Sequence, residues 1–337
     1  MIKTDIIIIG AGPVGLFTVF EAGLLKLRCH LIDSLPIPGG QCAEIYPKKP
    51  IYDIPGYPSV LAGDLVDNLM AQIEPFKPGF TLGETAAHIE KNSANNFIVT
   101  TKQGTKHEAP VVAIAGGLGV FIPRKPPIAN IKDFENKGIA YIIKDPEIYR
   151  NKKIVISGGG DSALDWALYF ANNFASEVSL IHRSQKFRAH LDSVQQAMTM
   201  AENGKINLLL DSEVVGLSGD ETLNEVTIKS KNNQISSIKT DFWLPLFGLT
   251  PKLGPIANWG LEIEKNAIVV DNATDYSTNI DGIYAIGDVN TYPGKLKLIL
   301  CGFHEGTIMV QSAFKKIHPN KNNVLKYTTV SGVTGFD

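Results

Sequence analysis

Hydrophobic residues in this chain come in short, dense runs set off by glycine turns, not in heptads. Ile6-Ile7-Ile8-Ile9 is such a run, with the composition of a strand buried on both faces. Gly10-Ala11-Gly12-Pro13-Val14-Gly15 follows directly. Leu16 to Leu25 then predicts a helix, and His30-Leu31-Ile32, closed by Asp33, predicts the end of a second strand. The same order returns later. Lys153-Ile154-Val155-Ile156-Ser157 predicts a strand, Gly158-Gly159-Gly160-Asp161-Ser162-Ala163 a turn, Leu164 to Phe174 a helix and Val178 to Ile181 another strand. The two glycine turns begin 148 residues apart. A pattern repeated at that distance predicts an α/β chain with two βαβ-based domains. Antiparallel structure is expected around residues 95–113 and 225–245.

The first turn reads G-x-G-x-x-G. In a dinucleotide fold Gly10 would permit the tight turn, Gly12 would let the backbone approach a pyrophosphate, and Gly15 would let the helix pack on the strand. Val14 lies in the same turn. Free N–H groups and the positive dipole at the helix start suit phosphate. Asp33 stands 18 residues after Gly15, where an acid takes a ribose hydroxyl. A plain glycine turn in an ordinary α/β domain is the alternative. The second turn reads G-x-G-x-x-A, with Gly158, Gly160 and Ser162 as its candidate binding positions. Gly10 to Asp33 spans 23 residues; the same step from Gly158 reaches Ile181, followed by His182-Arg183-Ser184-Gln185-Lys186-Phe187-Arg188. No acid stands there. Arg183, Lys186 and Arg188 do, and basic side chains accommodate a 2′-phosphate. The first site therefore suits FAD or NAD and the second NADP, with a solvated basic turn as the alternative reading. The apolar run Ile283-Tyr284-Ala285-Ile286 ends in Gly287-Asp288. A Gly-Asp after a strand is common. Behind two dinucleotide turns it points to FAD at the first.

Composition removes competing classes. The chain has 337 residues, 44 % apolar and 20 % charged, enough for two packed domains and unlike a disordered or fibrous chain. A net charge of −2 excludes a strongly basic nucleic-acid binder. Three cysteines, Cys29, Cys42 and Cys301, form no C-x-x-C pair, which argues against a disulfide framework and for a reducing, cytoplasmic location. Ile6 to Phe20 is uncharged for 15 residues, too short to span a bilayer, and Asp5 before it speaks against a signal peptide. No membrane partner is expected. G-x-S-x-G, H-E-x-x-H, Walker A and paired Cys/His metal spacings do not occur, so no metal is expected.

Further motifs are GGQ at 39–41, IYDIPGYP at 51–58, GGGDSALDWAL at 158–168, HRSQKFRAH at 182–190, NWGLEIEKNAIVV at 258–270, AIGD at 285–288 and CGFHEG at 301–306. Together they resemble the thioredoxin-reductase-like ferredoxin–NADP(+) reductases, across almost the whole chain. The resemblance implies two Rossmann-like, three-layer nucleotide-binding domains in a homodimer. An NADP domain (120–249) would be inserted into a FAD domain (1–119 and 250–337), with proline-bearing crossings at Phe121 to Pro127 and Leu246 to Pro251. It also implies roles residue by residue. Asp33 would meet the adenosine ribose, Gln41 the flavin and Asp288 the ribitol. Ala86 and Phe121 would lie in the FAD pocket, and Thr329 would touch FAD. Tyr46 would stack on one flavin face and Tyr327 cover the other, which suits a large flat apolar ring; packed tyrosines are the alternative. The family's basic motif usually has two adjacent arginines after the His. Here the second is Ser184, which softens an NADPH preference left to Arg183 and Arg188. Thioredoxin reductases carry a redox C-x-x-C shortly before the second glycine turn. Gly138 to Lys153 holds no cysteine, so a dithiol relay is excluded.

The expected activity is NADPH:ferredoxin or flavodoxin oxidoreduction, with FAD and NADP carrying the chemistry and no obligatory catalytic side chain. The competing readings are an NADPH-dependent flavin oxidase or monooxygenase that uses O₂, and a nucleotide-sensing module. Two intact nucleotide turns weigh against the last. Lys295/Lys297 and Lys315/Lys316 read either as docking charges for an acidic ferredoxin or as solvated surface.

Overall fold

A computed structural model describes residues 1–119, 122–173, 175–250, 252–321 and 328–336. Phe121 and Tyr327 lie outside the described residues. Ile122–Thr250 forms one compact unit, and the chain on either side of it forms a second.

The flanking unit is built on a parallel sheet in the order Ile283–Ala285, Val111–Ile114, Ile6–Ile9, Cys29–Asp33, Gly79–Leu82. Ile6–Ile9 takes the centre, where Ile6, Ile7 and Ile8 are fully buried. On one side it pairs with the next long strand, Cys29–Asp33, and on the other with Val111–Ile114, far along the chain. That reversal of strand order opens a crevice at the carboxyl ends of the strands, where α/β sheets hold ligands. Helix Ile299–Ile317 packs on helix Pro13–Leu24 through two glycines. A Cβ on Gly302 would stand 2.4 Å from Val14 Cγ2, and one on Gly306 would stand 2.6 Å from Thr18 Oγ1. A separate antiparallel sheet joins Ala86–Lys91, Phe97–Thr101 and Lys106–Ala109, with Ile2–Lys3 added parallel at its edge.

The inserted unit has the parallel order Asn207–Leu209, Glu177–Ile181, Lys153–Ser157, Phe242–Pro245. Helix Asp161–Asn173 follows the Lys153–Ser157 strand, and Ser212–Ser218, Glu225–Ser230 and Ile235–Lys239 form an antiparallel meander.

Two expectations change. The stretches 95–113 and 225–245 are antiparallel only in their earlier parts. Val111–Ile114 and Phe242–Pro245 are parallel strands. Both are continuous apolar runs, and such runs belong in sheets covered on both faces. The helices also begin ahead of their apolar runs, at Pro13 and Asp161. Proline suits a first helical position because the N–H it lacks has no partner there, and an acid suits the positive end of the dipole.

One buried polar cluster makes the flanking unit pH-sensitive. Thr81 Oγ1 lies 2.8 Å from His30 Nε2 and 2.9 Å from His107 Nε2. Burial lowers both imidazoles, His30 to about 4, and the charge of His107 lowers His30 further. Unfolded histidine titrates near 6.5. Between those values the unfolded chain binds more protons. Stability is therefore full above pH 6.5 and is lost as pH falls through about 4. The loss attributable to His30 is about 3 kcal/mol. A His30→Gln variant keeps a hydrogen-bonding partner for Thr81 but does not titrate. Urea midpoints measured near pH 7.5 and near pH 4.5 should differ less for the variant than for the native protein. Equal differences would sink the assignment.

Candidate functional site

The glycines at the carboxyl end of Ile6–Ile9 fall into two kinds. Gly10 and Gly15 are packed against backbone: a Cβ on Gly10 would lie 2.3 Å from Ala115 O, and one on Gly15 2.1 Å from Gly10 O. Gly12 is open, its nearest neighbour being Gly40 Cα at 3.9 Å. Gly12 caps helix Pro13–Leu24 and, having no side chain, offers no cap of its own to the N–H groups there. Gly39 and Gly40, with φ of 114° and 56°, fold the GGQ turn against it, and Gly39 N donates to Ala11 O at 2.7 Å. Across the crevice Gly117 is open apart from Gln41 Nε2, 3.5 Å from where its Cβ would sit. The crevice is lined by bare backbone and faced by free helix N–H groups. That fits the pyrophosphate of a dinucleotide.

Asp33 ends its strand at this crevice. Its Oδ2 accepts from Ala11 N at 2.7 Å and its Oδ1 from Leu35 N at 2.9 Å. Both bonds fix the carboxylate, and each oxygen keeps a lone pair for a ribose hydroxyl. Burial pushes this carboxyl up, while the N–H groups of Leu35, Ala11 and Ser34 pull it back. Tyr46 is half-buried against the core. Burial raises its phenol and pushes the adjacent Cys42 thiol to about 11; the charge of Asp288 acts on both. Ala86 is buried at the start of its strand. Val14 lies against Gly287 and Gly302. Thr329 is exposed on the short helix Thr328–Ser331.

Asp288 is half-buried in the turn Gly287–Val289. Burial raises its carboxyl, Lys295 and Lys297 pull it down, and Glu305 raises it again. Glu305 is a residue that the motif reading assigned no role. It is fully buried. Its Oε2 accepts from Gly287 N at 2.7 Å and Asn290 Nδ2 at 2.9 Å; its Oε1 accepts from Tyr292 Oη at 2.8 Å and from Lys295 Nζ. The Lys295 side chain is only 6 % exposed. The docking-charge and solvated-surface readings both fail for Lys295, because its ammonium is spent inside the unit. Lys316 pairs with Asp281 at 2.7 Å. Glu305 could have been singled out from its place. It shares a helix face with Gly302, Gly306 and Met309, all buried, and an acid on such a face needs partners.

In the inserted unit Gly158 N donates to Ile181 O at 3.1 Å, as Gly10 N does to Ile32 O at 2.9 Å. A Cβ on Gly158 would meet Leu246 O at 2.6 Å, whereas one on Gly160 would meet nothing within 4 Å. Gly158 is packed and Gly160 open, as Gly10 and Gly12 are in the first turn. Ser162 follows, exposed in the first turn of the helix. The basic segment is fastened here by its backbone: Arg188 N donates to Gly159 O at 2.7 Å, and His190 N to Asp161 Oδ1 at 2.7 Å. The side chains of Arg183 and Arg188 are exposed. Ser184 turns inward, its Oγ donating to Lys186 O at 3.0 Å, so it closes the turn instead of adding a charge.

Among the described residues no group of His, Cys, Asp and Glu could hold a metal ion, and no helix is long and apolar enough to cross a membrane. Residues 4–310 match the family described as pyridine nucleotide-disulphide oxidoreductase. Ferredoxin–NADP reductase 1 of Christiangramia forsetii is 70 % identical, over 100 % of this chain and 96 % of that one. Ferredoxin–NADP reductase of Flavobacterium psychrophilum is 65 % identical over the same shares. The solved thioredoxin reductase of Lactococcus lactis superposes with a TM-score of 0.79 at 26 % identity, over 94 % of this chain and 100 % of that one. The chain belongs to the pyridine nucleotide-disulphide oxidoreductase family and, within it, to the thioredoxin-reductase-like ferredoxin–NADP reductases.

Proposed function

We propose that the chain is an FAD-dependent ferredoxin–NADP reductase that exchanges electrons between NADPH and ferredoxin or flavodoxin. One observation carries this reading: of two glycine crevices in one chain, one ends in an acid, Asp33, and the other in exposed Arg183 and Arg188. FAD, when bound, would supply an acceptor for the NADPH hydride and a donor of single electrons. The chain binds and orients. Gly10, Gly12, Val14 and Gly15 accommodate the FAD pyrophosphate, and Asp33 takes the adenosine ribose. Gln41, Tyr46, Ala86, Asp288 and Thr329 take the flavin side, and the family resemblance assigns Phe121 and Tyr327, which lie outside the described residues, to the same cofactor. Gly158, Gly160 and Ser162 take the NADP pyrophosphate, and Arg183 and Arg188 its 2′-phosphate. The enzyme works in the cytoplasm as a homodimer. Free thiols at Cys29, Cys42 and Cys301 support a reducing compartment, and the family resemblance supports the dimer. Both ferredoxin–NADP reductases compared above are named for the reductase activity, and neither for an oxidase.

The test is NADPH-dependent cytochrome c reduction with and without added ferredoxin, with oxygen uptake followed in parallel. Ferredoxin should stimulate the rate several-fold while oxygen uptake stays slow. Fast oxygen uptake with no effect of ferredoxin would replace this reading with the oxidase.

A further inference from the structure

The buried pair Lys295–Glu305 is used by no part of the binding scheme above, and an unused buried pair needs a reason. Burying two charges costs more than their attraction returns unless their remaining hydrogen-bonding capacity is also filled. On Glu305 it is filled, by donors from Gly287, Asn290, Tyr292 and Lys295. Two of these lie on either side of Asp288. Gly287, at φ 75°, points its N–H at the carboxylate. Asn290, fully buried, reaches the same oxygen and also donates to Ala285 O at 2.8 Å. Gly287, Val289 and Asn290 are buried, and Asp288 alone in this turn is left half-exposed.

We propose that Glu305 and Lys295 are positioning residues for the flavin site: Glu305 pins the turn that presents Asp288, and Lys295 cancels the charge this pinning introduces. The pair fixes the geometry without biasing the electron affinity of the flavin. The inference rests on the reading of the flanking unit as the FAD site. A lone charge in so dry a place acts with little screening. Without Lys295, the Glu305 carboxylate opposes the negative charge that reduction adds, and the flavin midpoint potential falls. Without the Glu305 charge, the Lys295 ammonium favours reduction, and the potential rises. Removing both restores neutrality.

The experiment compares Lys295→Met, Glu305→Gln, the double variant and Lys295→Arg in the purified flavoprotein. The readouts are the flavin midpoint potential, by dye-equilibrated reduction, and FAD release, by fluorescence. Lys295→Met should lower the potential and Glu305→Gln raise it. The double variant and Lys295→Arg should lie near the native value. A merely structural role would loosen FAD in each neutralised variant and leave no opposed signs. Unmoved potentials, or shifts of one sign, overturn the inference alone. A native protein that binds no FAD overturns the functional reading and this inference with it. If the single variants fail to fold, the double decides: native potential and FAD affinity support cancellation, and loss of FAD overturns it.

Discussion

A Gly12→Val protein should fold normally and purify without flavin colour. Gly12 sits at φ −76° and ψ 178°, a conformation open to any residue. A Cβ there would have only Gly40 Cα nearby, at 3.9 Å. No side-chain cap is lost, because none exists at this helix start. Valine's methyl groups would instead fill the space that a pyrophosphate needs. Excluding it should cost at least about 3 kcal/mol of FAD affinity, more than a hundredfold. Gly15→Ala is the contrast. Its Cβ would lie 2.1 Å from Gly10 O, so the turn itself must move, at roughly 1–3 kcal/mol of fold stability. Flavin absorbance and melting of the flavin-free protein separate the two cases. Gly12→Val should lose colour and keep its melting temperature; Gly15→Ala should lose melting temperature as well. A yellow Gly12→Val protein would remove the crevice from consideration as the FAD site.

The joint variant Arg183→Ala/Arg188→Ala should raise KM for NADPH about a hundredfold while kcat stays close to native. Charge-assisted hydrogen bonds contribute about 1.5–3 kcal/mol each. Both side chains are exposed, so the lower end applies, and two such contacts sum to about 3 kcal/mol, or roughly a hundredfold. A phosphate remote from the reacting atoms is held equally in ground and transition states, which is why KM moves and kcat does not. NADH lacks that phosphate, so its KM should change little. Parallel losses for both nucleotides would mean that the arginines support the turn and do not read the 2′-phosphate. Ser184 bonds the carbonyl of Lys186 at 3.0 Å and carries no charge, so the proposed reading of the 2′-phosphate falls to Arg183 and Arg188, the pair this variant removes.

The central strands and glycine turns were legible in the sequence for local reasons. A strand buried on both faces must be a continuous apolar run, and Ile6–Ile9 is such a run, as is the 154–156 centre of Lys153–Ser157. Strand direction was not legible for Val111–Ile114 or Phe242–Pro245. Each pairs with strands distant in the chain, and an apolar run does not encode its partner. The Glu305 network escaped for the same reason. Its donors lie 10 to 18 residues upstream, and Lys295 beside Lys297 looks like solvated surface until its partner is placed. The His30–Thr81–His107 cluster joins residues 51 and 26 apart, and no periodicity links them.

The discontinuous flanking unit has a consequence for biosynthesis. Ile122–Thr250 is contiguous and holds all of its own sheet, so it can fold as soon as it leaves the ribosome. The flanking unit cannot. Its edge strand Ile283–Ala285 and the helix Ile299–Ile317 that closes on Pro13–Leu24 emerge last. Until then Val111–Ile114 has Ile6–Ile9 on one side only, and Pro13–Leu24 lacks the helix whose Gly302 and Gly306 close on it. The nascent chain therefore completes its second nucleotide domain first, and holds its first nucleotide turn unfinished, with apolar surface uncovered, through nearly the whole of translation.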